Sequence, residues 1–596
     1  MPFSQAGFWS TMTGVMPGGG RARAKETPTL VRQMQSQEGD FWRTLVPVAV
    51  VLAAIMFVFP LTIPFALLDP DEGLHASIAQ EMDERGNWTI PQFLGRPFLD
   101  KPVFFFWVQA ASLRLFGPHE MAVRLPGLLF GLLGAITTGL LGGRLFGSPT
   151  GLVAGILYAT TILPTAMAQA ASHDVALIPW VTLVILLVWE AEHASGRPAA
   201  LGCLCGAGVF LGLTVLTKGL LGAGVVAVAY GSYLLVTRLK KLRRGGIAAM
   251  PLPARATPRI GPLLLGGLIV LAIATLIATP WYALAERQTP GYLRYFFFER
   301  HVMGFATLSQ PHGDEPWWYY FPVLLGGGLP WIGYLPVVAR DAWVRRQDSD
   351  AMRLLWSWLI GWTLLMLVAG SKLATYVWPV FPALAVLAAT AWIRLIDGTL
   401  EAAARRSFAQ TFVWASWSGP LVLPAAVLAV QLVFGVHFSW PVWVAVVIAA
   451  ALAPVPLIPW RAGRWHAALA AAALSLAGQF AAVVTMVLPP VAESFSAREL
   501  ARHFNQLGQL PPRLLVIEGR FGSLVFYLTP QLRHELTPER LQQWAAKEHP
   551  SIQLGDVVAV PEHKIANFRR YHLCDGEPFE VVGHYRLYKI TKPRPT

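Results

Sequence analysis

The stretch Leu68–Trp107, LDPDEGLHASIAQEMDERGNWTIPQFLGRPFLDKPVFFFW, decides how the rest of the chain is read. It holds Asp69, Asp71, Glu72, Glu81, Asp83, Glu84 and Asp100, seven of the 34 carboxylates in 596 residues, and it follows directly on a long apolar run. Asp71 and Glu72 fall where a carboxylate meets lipid head groups. Leu74, Ile78 and Met82 recur every four residues and predict a helix lying in the membrane interface, with Glu81, Asp83 and Glu84 on its solvated face. Pro102 opens a second, strongly aromatic segment, VFFFWVQAASLRLF, so two interfacial helices are expected to frame Asp71 and Asp100.

Hydrophobic residues make up 55% of the chain and charged residues 14%, with 23 Trp and 32 Phe, a balance that excludes a soluble globular protein. The three cysteines, Cys203, Cys205 and Cys574, offer neither a disulfide framework nor a zinc-ribbon spacing. The formal charge of +13 resides largely in short loops between apolar runs, which indicates orientation and anionic lipid rather than nucleic acid.

A span crosses roughly 30 Å of hydrocarbon with about 20 apolar residues. Thirteen runs qualify: 44–66, 120–145, 150–169, 174–191, 199–217, 219–237, 260–284, 316–338, 354–370, 373–393, 410–433, 440–459 and 466–489. The hairpins at Lys218 and at Ser371–Lys372 are counted as real because each interrupts apolar sequence with a lysine. Residues 1–43 read as a disordered cytoplasmic tail. With that tail inside, Arg144, the RLKKLRR run at 238–244, Arg340, Arg345, Arg346, Arg405, Arg406, Arg461 and Arg464 all fall in cytoplasmic turns. The loops at 68–118 and 286–315 and the region 490–596 then lie outside, in the periplasm of a bacterial inner membrane.

Residues 490–596 differ in kind. Ser496-Ala497-Arg498-Glu499 has the form of a capping box, LLVIEG at 514–519 and DVVAV at 556–560 read as strands, Thr537-Pro538-Glu539 as a helix start, and FEVVGHYRLYKI closes the chain. The expectation is a small α/β domain serving as lid or scaffold. The fold class is thus an α-helical polytopic membrane protein of about 13 transmembrane helices with a C-terminal periplasmic α/β domain.

On the outer face, the groups able to do chemistry are Asp71 and Glu72, Asp100 and Lys101, His173 and Asp174, Lys218, Arg294, Glu299, His301 and Lys372. Each has a bland reading: Lys218 or Lys372 as a snorkelling lysine, Asp174 as a helix cap, His301 as a packed ring. Their common side, at membrane depth, favours function.

These residues also carry a resemblance. DPDEGLHASIAQEM, GNWTIPQFLGRPFLDKPVFFFWVQAASLRLFG, AVRLPG, VLTKG, FFFERHVMGF and SKLATYVWPV follow in order the pattern of GT-C membrane glycosyltransferases. The chain looks most like the lipid A aminoarabinose transferases and is similar to the dolichyl-phosphate-mannose protein mannosyltransferases. The resemblance covers nearly everything after the tail and is densest over 68–126. It implies a polyprenyl-phosphate-linked sugar, an amino-pentose or a hexose, passed to a lipid or glycan acceptor. Asp71 would be the catalytic carboxylate, assisted by Glu72 and Asp174. Lys101, with Lys218, Arg294 and Lys372, would bind the donor phosphate. The family's metal-binding positions fall on Asp100 and His301, so the resemblance implies a divalent ion (Zn, Mg or Mn), with Asp standing where the family has Glu. Leu74 and Gly304 stand where the family often carries basic residues.

The residue types suit this chemistry independently. A sugar leaving a phosphate-linked lipid builds negative charge on phosphate oxygens, which cations in a low-dielectric pocket stabilise. A carboxylate can take a proton from an incoming hydroxyl. A transporter would instead call for charged or broken helices at mid-membrane depth and an internal repeat, neither of which is seen in the sequence.

Overall fold

The computed structural model describes residues 27–244, 260–306, 315–345, 349–517, 521–544, 552–569, 574 and 576–592. Residues 1–26 of the expected tail, Arg346, residues 307–314 of the second outer loop, and Glu518 and Gly519 of the expected first strand lie outside these ranges.

Among the described residues, ten helices are long and apolar enough to cross a membrane, and twelve crossings result if two sharply bent pairs count as one each. The pairs are Ser148–Ala159 with Ile162–Ala168, bent by 64°, and Tyr320–Gly327 with Trp331–Val344, bent by 97°. The remaining expected run, 440–459, is broken into the eleven-residue helix Trp440–Ala450, turns over 451–456, and the short helix Leu457–Arg461. Pro454, Pro456 and Pro459 crowd this segment and prevent a continuous i→i−4 ladder. It nevertheless joins opposite ends of the helical domain. Phe434, just before it, meets Phe495 edge-on at 5.4 Å, while Trp460 stacks on Phe412 at 4.3 Å.

The expected tail is corrected over its second half. A helix begins at Thr27 and runs to Ala53, continuing through a π turn and a 3₁₀ turn to Thr62. Its membrane-competent part starts at Gly39, with Phe41 and Leu45 buried. Both hairpins read from lone lysines are present. Arg197–Lys218 turns at Gly219 into Leu220–Arg244, and Asp350–Val368 is followed by Ala374–Val380.

The basic turns gather at one end of the domain. There Arg394 pairs with Asp341, Arg353 reaches Thr237 at 2.8 Å, and Arg405 lies over the Trp465 ring. The Leu68–Trp107 stretch lies at the other end. Its helix, Asp71–Arg85, is not an interfacial helix with a wet face: His75 to Met82 are buried without a break. Two of the three acids expected on the solvated face, Glu81 and Glu84, are structural. Glu81 accepts from the backbone N–H groups of Leu94 (2.8 Å) and Gly95 (2.7 Å), both in left-handed conformation at the tip of the hairpin β1 (Gln92–Phe93) and β2 (Arg96–Pro97). Glu84 takes two nitrogens of Arg533 from the C-terminal domain.

That domain is a five-stranded mixed sheet. Its strands are β3 (Leu514–Ile517), β4 (Leu541–Trp544), β5 (Val557–Pro561), β6 (Glu580–Val582) and β7 (Tyr585–Lys589), in the order β4-β3-β5-β7-β6. β3 is parallel to β4 and β5, and β7 is antiparallel to β5 and β6. One expectation fails locally: Thr537-Pro538-Glu539 starts no helix but a turn that feeds β4. The helix expected at Ser496 is present as Arg498–Leu507, although its capping is one-sided: Ser496 accepts from Arg498 N–H (3.3 Å) while Glu499 pairs with Arg502.

The domain docks through the helix Gly522–Tyr527, which crosses Asp71–Arg85 with backbones in contact. A Cβ on Gly522 would collide with the backbone of Gly73 and Leu74, and one on Gly73 with Ser523. Ser523 donates to Asp69, Ser77 donates to the Gly522 carbonyl at 2.6 Å, and Tyr527 donates to Glu120 at 2.8 Å.

Candidate active site

Asp71 and Glu72 open the same helix, where negative charge meets the positive end of the dipole, yet they serve different purposes. Glu72 turns inward and is 5% exposed. Both its oxygens engage Arg124, each at 2.8 Å, and one also accepts from Leu68 N–H at 2.9 Å. Arg124 donates further to the carbonyls of Phe65 and Ala66 and lies 3.6 Å over the Phe65 ring. This closed bidentate pair uses up the carboxylate, so Glu72 is a structural residue and not a catalytic one. Asp71 is exposed, and its charge reaches Lys218.

Lys218, the last residue of its span, is buried, pairs with Asp174, and stands 4.9 Å above the Tyr376 ring. Asp174 follows Ser172, whose hydroxyl caps the helix and lies 3.2 Å from the carboxylate. Lys101 acts electrostatically on Lys218, His173 and His301. Asp71, Lys101, Asp174, Lys218 and His301 therefore form one electrostatic neighbourhood, built from segments more than two hundred residues apart.

Arg294 does not join it. Its side chain is 81% exposed and turned toward Glu299 at 3.9 Å. Residues Arg294–Met303 form a π-helix, whose i→i+5 winding changes which side chains share a face. The arginine it turns inward is Arg300, 3.1 Å from Asp100. Nothing in the sequence distinguishes the two arginines without that winding. Lys372 is buried and donates to the Ala369 carbonyl at 2.6 Å within the hairpin.

Asp100 and His301 do not fit a metal. Asp100 accepts from the Tyr295 hydroxyl at 2.5 Å and from Arg300. His301 receives the Leu220 N–H on Nε2 at 3.2 Å, which leaves the proton on Nδ1 to be donated to the Phe296 carbonyl at 2.7 Å. Both imidazole nitrogens are thus committed to backbone, and among the described residues no three His, Cys, Asp or Glu converge as a donor set. Burial, with Lys101 and Arg300 adding to it, lowers the His301 pKa, although the Phe296 and Lys218 carbonyls oppose the shift. Burial first, then Asp100, pushes the Tyr295 phenol up to about 12 and keeps it a donor. Gly219 adopts φ 65°, and a Cβ there would strike His301 and Phe296, so the Lys218–Leu220 turn requires glycine.

The profile of the dolichyl-phosphate-mannose-protein mannosyltransferase family matches residues 100–250. Among solved structures, ArnT from Cupriavidus metallidurans bound to undecaprenyl phosphate aligns with a TM-score of 0.69 at 21% identity, over 92% of this chain and 98% of that one. The fold is that of a GT-C glycosyltransferase. The apo form of the same ArnT aligns with a TM-score of 0.67 over the same shares. Two relatives are undecaprenyl phosphate-alpha-4-amino-4-deoxy-L-arabinose arabinosyl transferases. That of Erwinia tasmaniensis is 31% identical over 343 residues, 57% of this chain and 58% of the relative. That of Pectobacterium carotovorum is 30% identical over 389 residues, 65% of each. The aligned part thus spans between about three fifths and two thirds of these relatives, and the GT-C membrane architecture extends over nearly the whole chain.

Proposed function

We propose that this chain transfers one sugar from a polyprenyl-phosphate carrier to a lipid or glycan acceptor, such as lipid A, at the periplasmic face of a bacterial inner membrane. The observation that carries the reading is the gathering of Asp71, Lys101 and Asp174 around Lys218 at one end of a multi-pass helical domain. The relatives' undecaprenyl phosphate-linked arabinosyl chemistry supports the donor class. The arginine-rich turns at the opposite end support an outward-facing site.

When the anomeric carbon–oxygen bond breaks, charge grows on the phosphate of the departing lipid. Lys101 and Lys218 supply positive charge there with little reorganisation, because Asp174 and the Tyr376 ring already hold Lys218. Asp71, exposed at the start of its helix, accepts the proton of an attacking hydroxyl, or orients the sugar if a phosphate attacks. A phosphate acceptor is already anionic and needs no strong base.

The experiment is comparative mass spectrometry of total lipids and glycans from cells with and without the gene, followed by transfer with purified protein in nanodiscs. A sugar-bearing product made only by the native chain supports the proposal, and identical profiles with no transfer in vitro would refute it. A second reading, a protein O-mannosyltransferase, is favoured by the family profile over 100–250. It calls for the added sugar on a polypeptide hydroxyl.

A further inference from the structure

Beneath the charged groups lies a pair of histidines that the reaction as described does not use. His75 sits one helical turn beyond Asp71, on the same face of the helix. His173 immediately precedes Asp174. Their rings meet edge-on with centroids 4.7 Å apart. Phe106 stands 4.6 Å from His173 and 5.6 Å from His75, and Phe105 lies 5.0 Å from His173. His75 Nδ1 is 2.9 Å from the Ala171 carbonyl, in the turn that leads to His173.

His173 is 1% exposed, yet neither ring nitrogen makes a hydrogen bond of ordinary geometry. The backbone of Pro102 is the group that approaches it as an acceptor. Buried polar groups nearly always have partners, and hydrogen bonds at a reaction site are often long until ligand is bound. Packing alone would be served by another phenylalanine here, among Phe105, Phe106 and Phe130. A ring N–H beside the Pro102 carbonyl instead connects this position to the residue preceding that proline, Lys101.

We propose that His173 is a positioning residue for the donor: its ring N–H holds the Pro102 carbonyl when the site is loaded, and so fixes Pro102, the residue to which Lys101 is joined and from which Lys101 is aimed at the carrier phosphate. Phe105, Phe106 and His75 hold the ring in place for this purpose. The inference rests on the reading of Lys101 as a phosphate-binding residue, and the two are separable by experiment.

The test is equilibrium binding of undecaprenyl phosphate, and of undecaprenol as the phosphate-free control, to the full chain in detergent. The proteins are the native chain, Lys101→Ala, His173→Phe, His173→Gln and the double variant Lys101→Ala/His173→Phe. Phenylalanine keeps ring volume and aromatic packing but removes the donor, whereas glutamine keeps an N–H donor. The expected result is that Lys101→Ala and His173→Phe each weaken undecaprenyl phosphate binding about tenfold, roughly 1.4 kcal/mol, with undecaprenol binding unchanged. His173→Gln recovers part of the loss, and the double variant is no weaker than Lys101→Ala alone. If Lys101→Ala binds phosphate lipid normally, the phosphate reading of Lys101 fails and the inference with it. If Lys101→Ala is impaired but His173→Phe binds normally, or the two losses multiply in full, only the positioning role is overturned. Equal loss of undecaprenol binding in His173→Phe would also overturn it, because that outcome indicates collapse of packing.

Discussion

The face that receives the C-terminal domain and the face proposed to carry the reacting groups are both rich in carboxylates, but they partner them differently. On the docking face three of them pair with arginine: Glu72 with Arg124, Glu84 with Arg533, Glu120 with Arg498. Two of these three pairs engage two arginine nitrogens. On the reaction face Asp174 has Lys218, and Lys101 lies near, while Arg300 meets Asp100 at 3.1 Å. A guanidinium fork fixes a carboxylate in plane, whereas an ammonium on a flexible stem can turn toward a new anion. The difference separates carboxylates clamped in plane from one held by a group that can turn, and it places Glu72 among the former.

The sharpest break of that division is Asp71→Asn. With a hydroxyl acceptor, turnover is expected to fall by about 10² to 10⁴ while the protein stays folded and still binds donor. A wild-type rate with such an acceptor would remove Asp71 as the base. Its neighbour should behave in the opposite way. Glu72→Ala leaves Arg124 charged and buried, so a loss of roughly 3 to 5 kcal/mol of stability is expected, read as a lower melting temperature and poor yield. Normal stability with lost turnover would exchange the two roles. Lys101→Ala should reduce turnover by about 10² to 10³, and Lys101→Arg should retain part of it. Arg294→Ala, at a solvent-facing position, should leave both properties near native.

The smallest effect concerns His301. Its pKa is lowered in the folded chain from the ordinary 6.5, so the unfolded chain binds more protons as the medium is acidified. Stability from this group is present above about pH 6.5 and declines as pH falls below it. Melting temperatures measured from pH 7.5 to 5.0 should show that decline, and His301→Gln should flatten it. Divalent-metal content should be the same in native protein and in His301→Ala. A stoichiometric ion lost in the variant would show that Asp100 and His301 rearrange to bind it.

Much of this was legible in the residues. Apolar runs of about twenty residues, the lysines that interrupt two of them, and the arginines between them carry the helical domain, because hydrocarbon thickness and loop charge act locally along the chain. Leu514–Ile517 and Val557–Pro561 announced themselves as short apolar strands. The contacts that were missed depend on distance in sequence. Glu72 meets Arg124 across 52 residues and Glu84 meets Arg533 across 449, so nothing local marks either acid as structural. The choice of Arg300 over Arg294 depends on a π-helix, and the break after Ala450 on prolines that still left the run apolar. Thr537-Pro538-Glu539 carries a proper helix-start signal, overridden because the next residues pair with β3.

The crossing of Gly73 and Gly522 also bears on how the molecule is made. The helix bearing Asp71 leaves the ribosome more than four hundred residues before the helix that clamps it, and the membrane spans described from Glu120 to Ser494 are made in between. Asp69 has no Ser523 to receive until then. A nascent chain already inserted in the bilayer therefore holds the reacting residues without the clamp that orders them. Competence arrives as one of the final steps of biogenesis, after which any side chain larger than hydrogen at either crossing point would hold the clamp open.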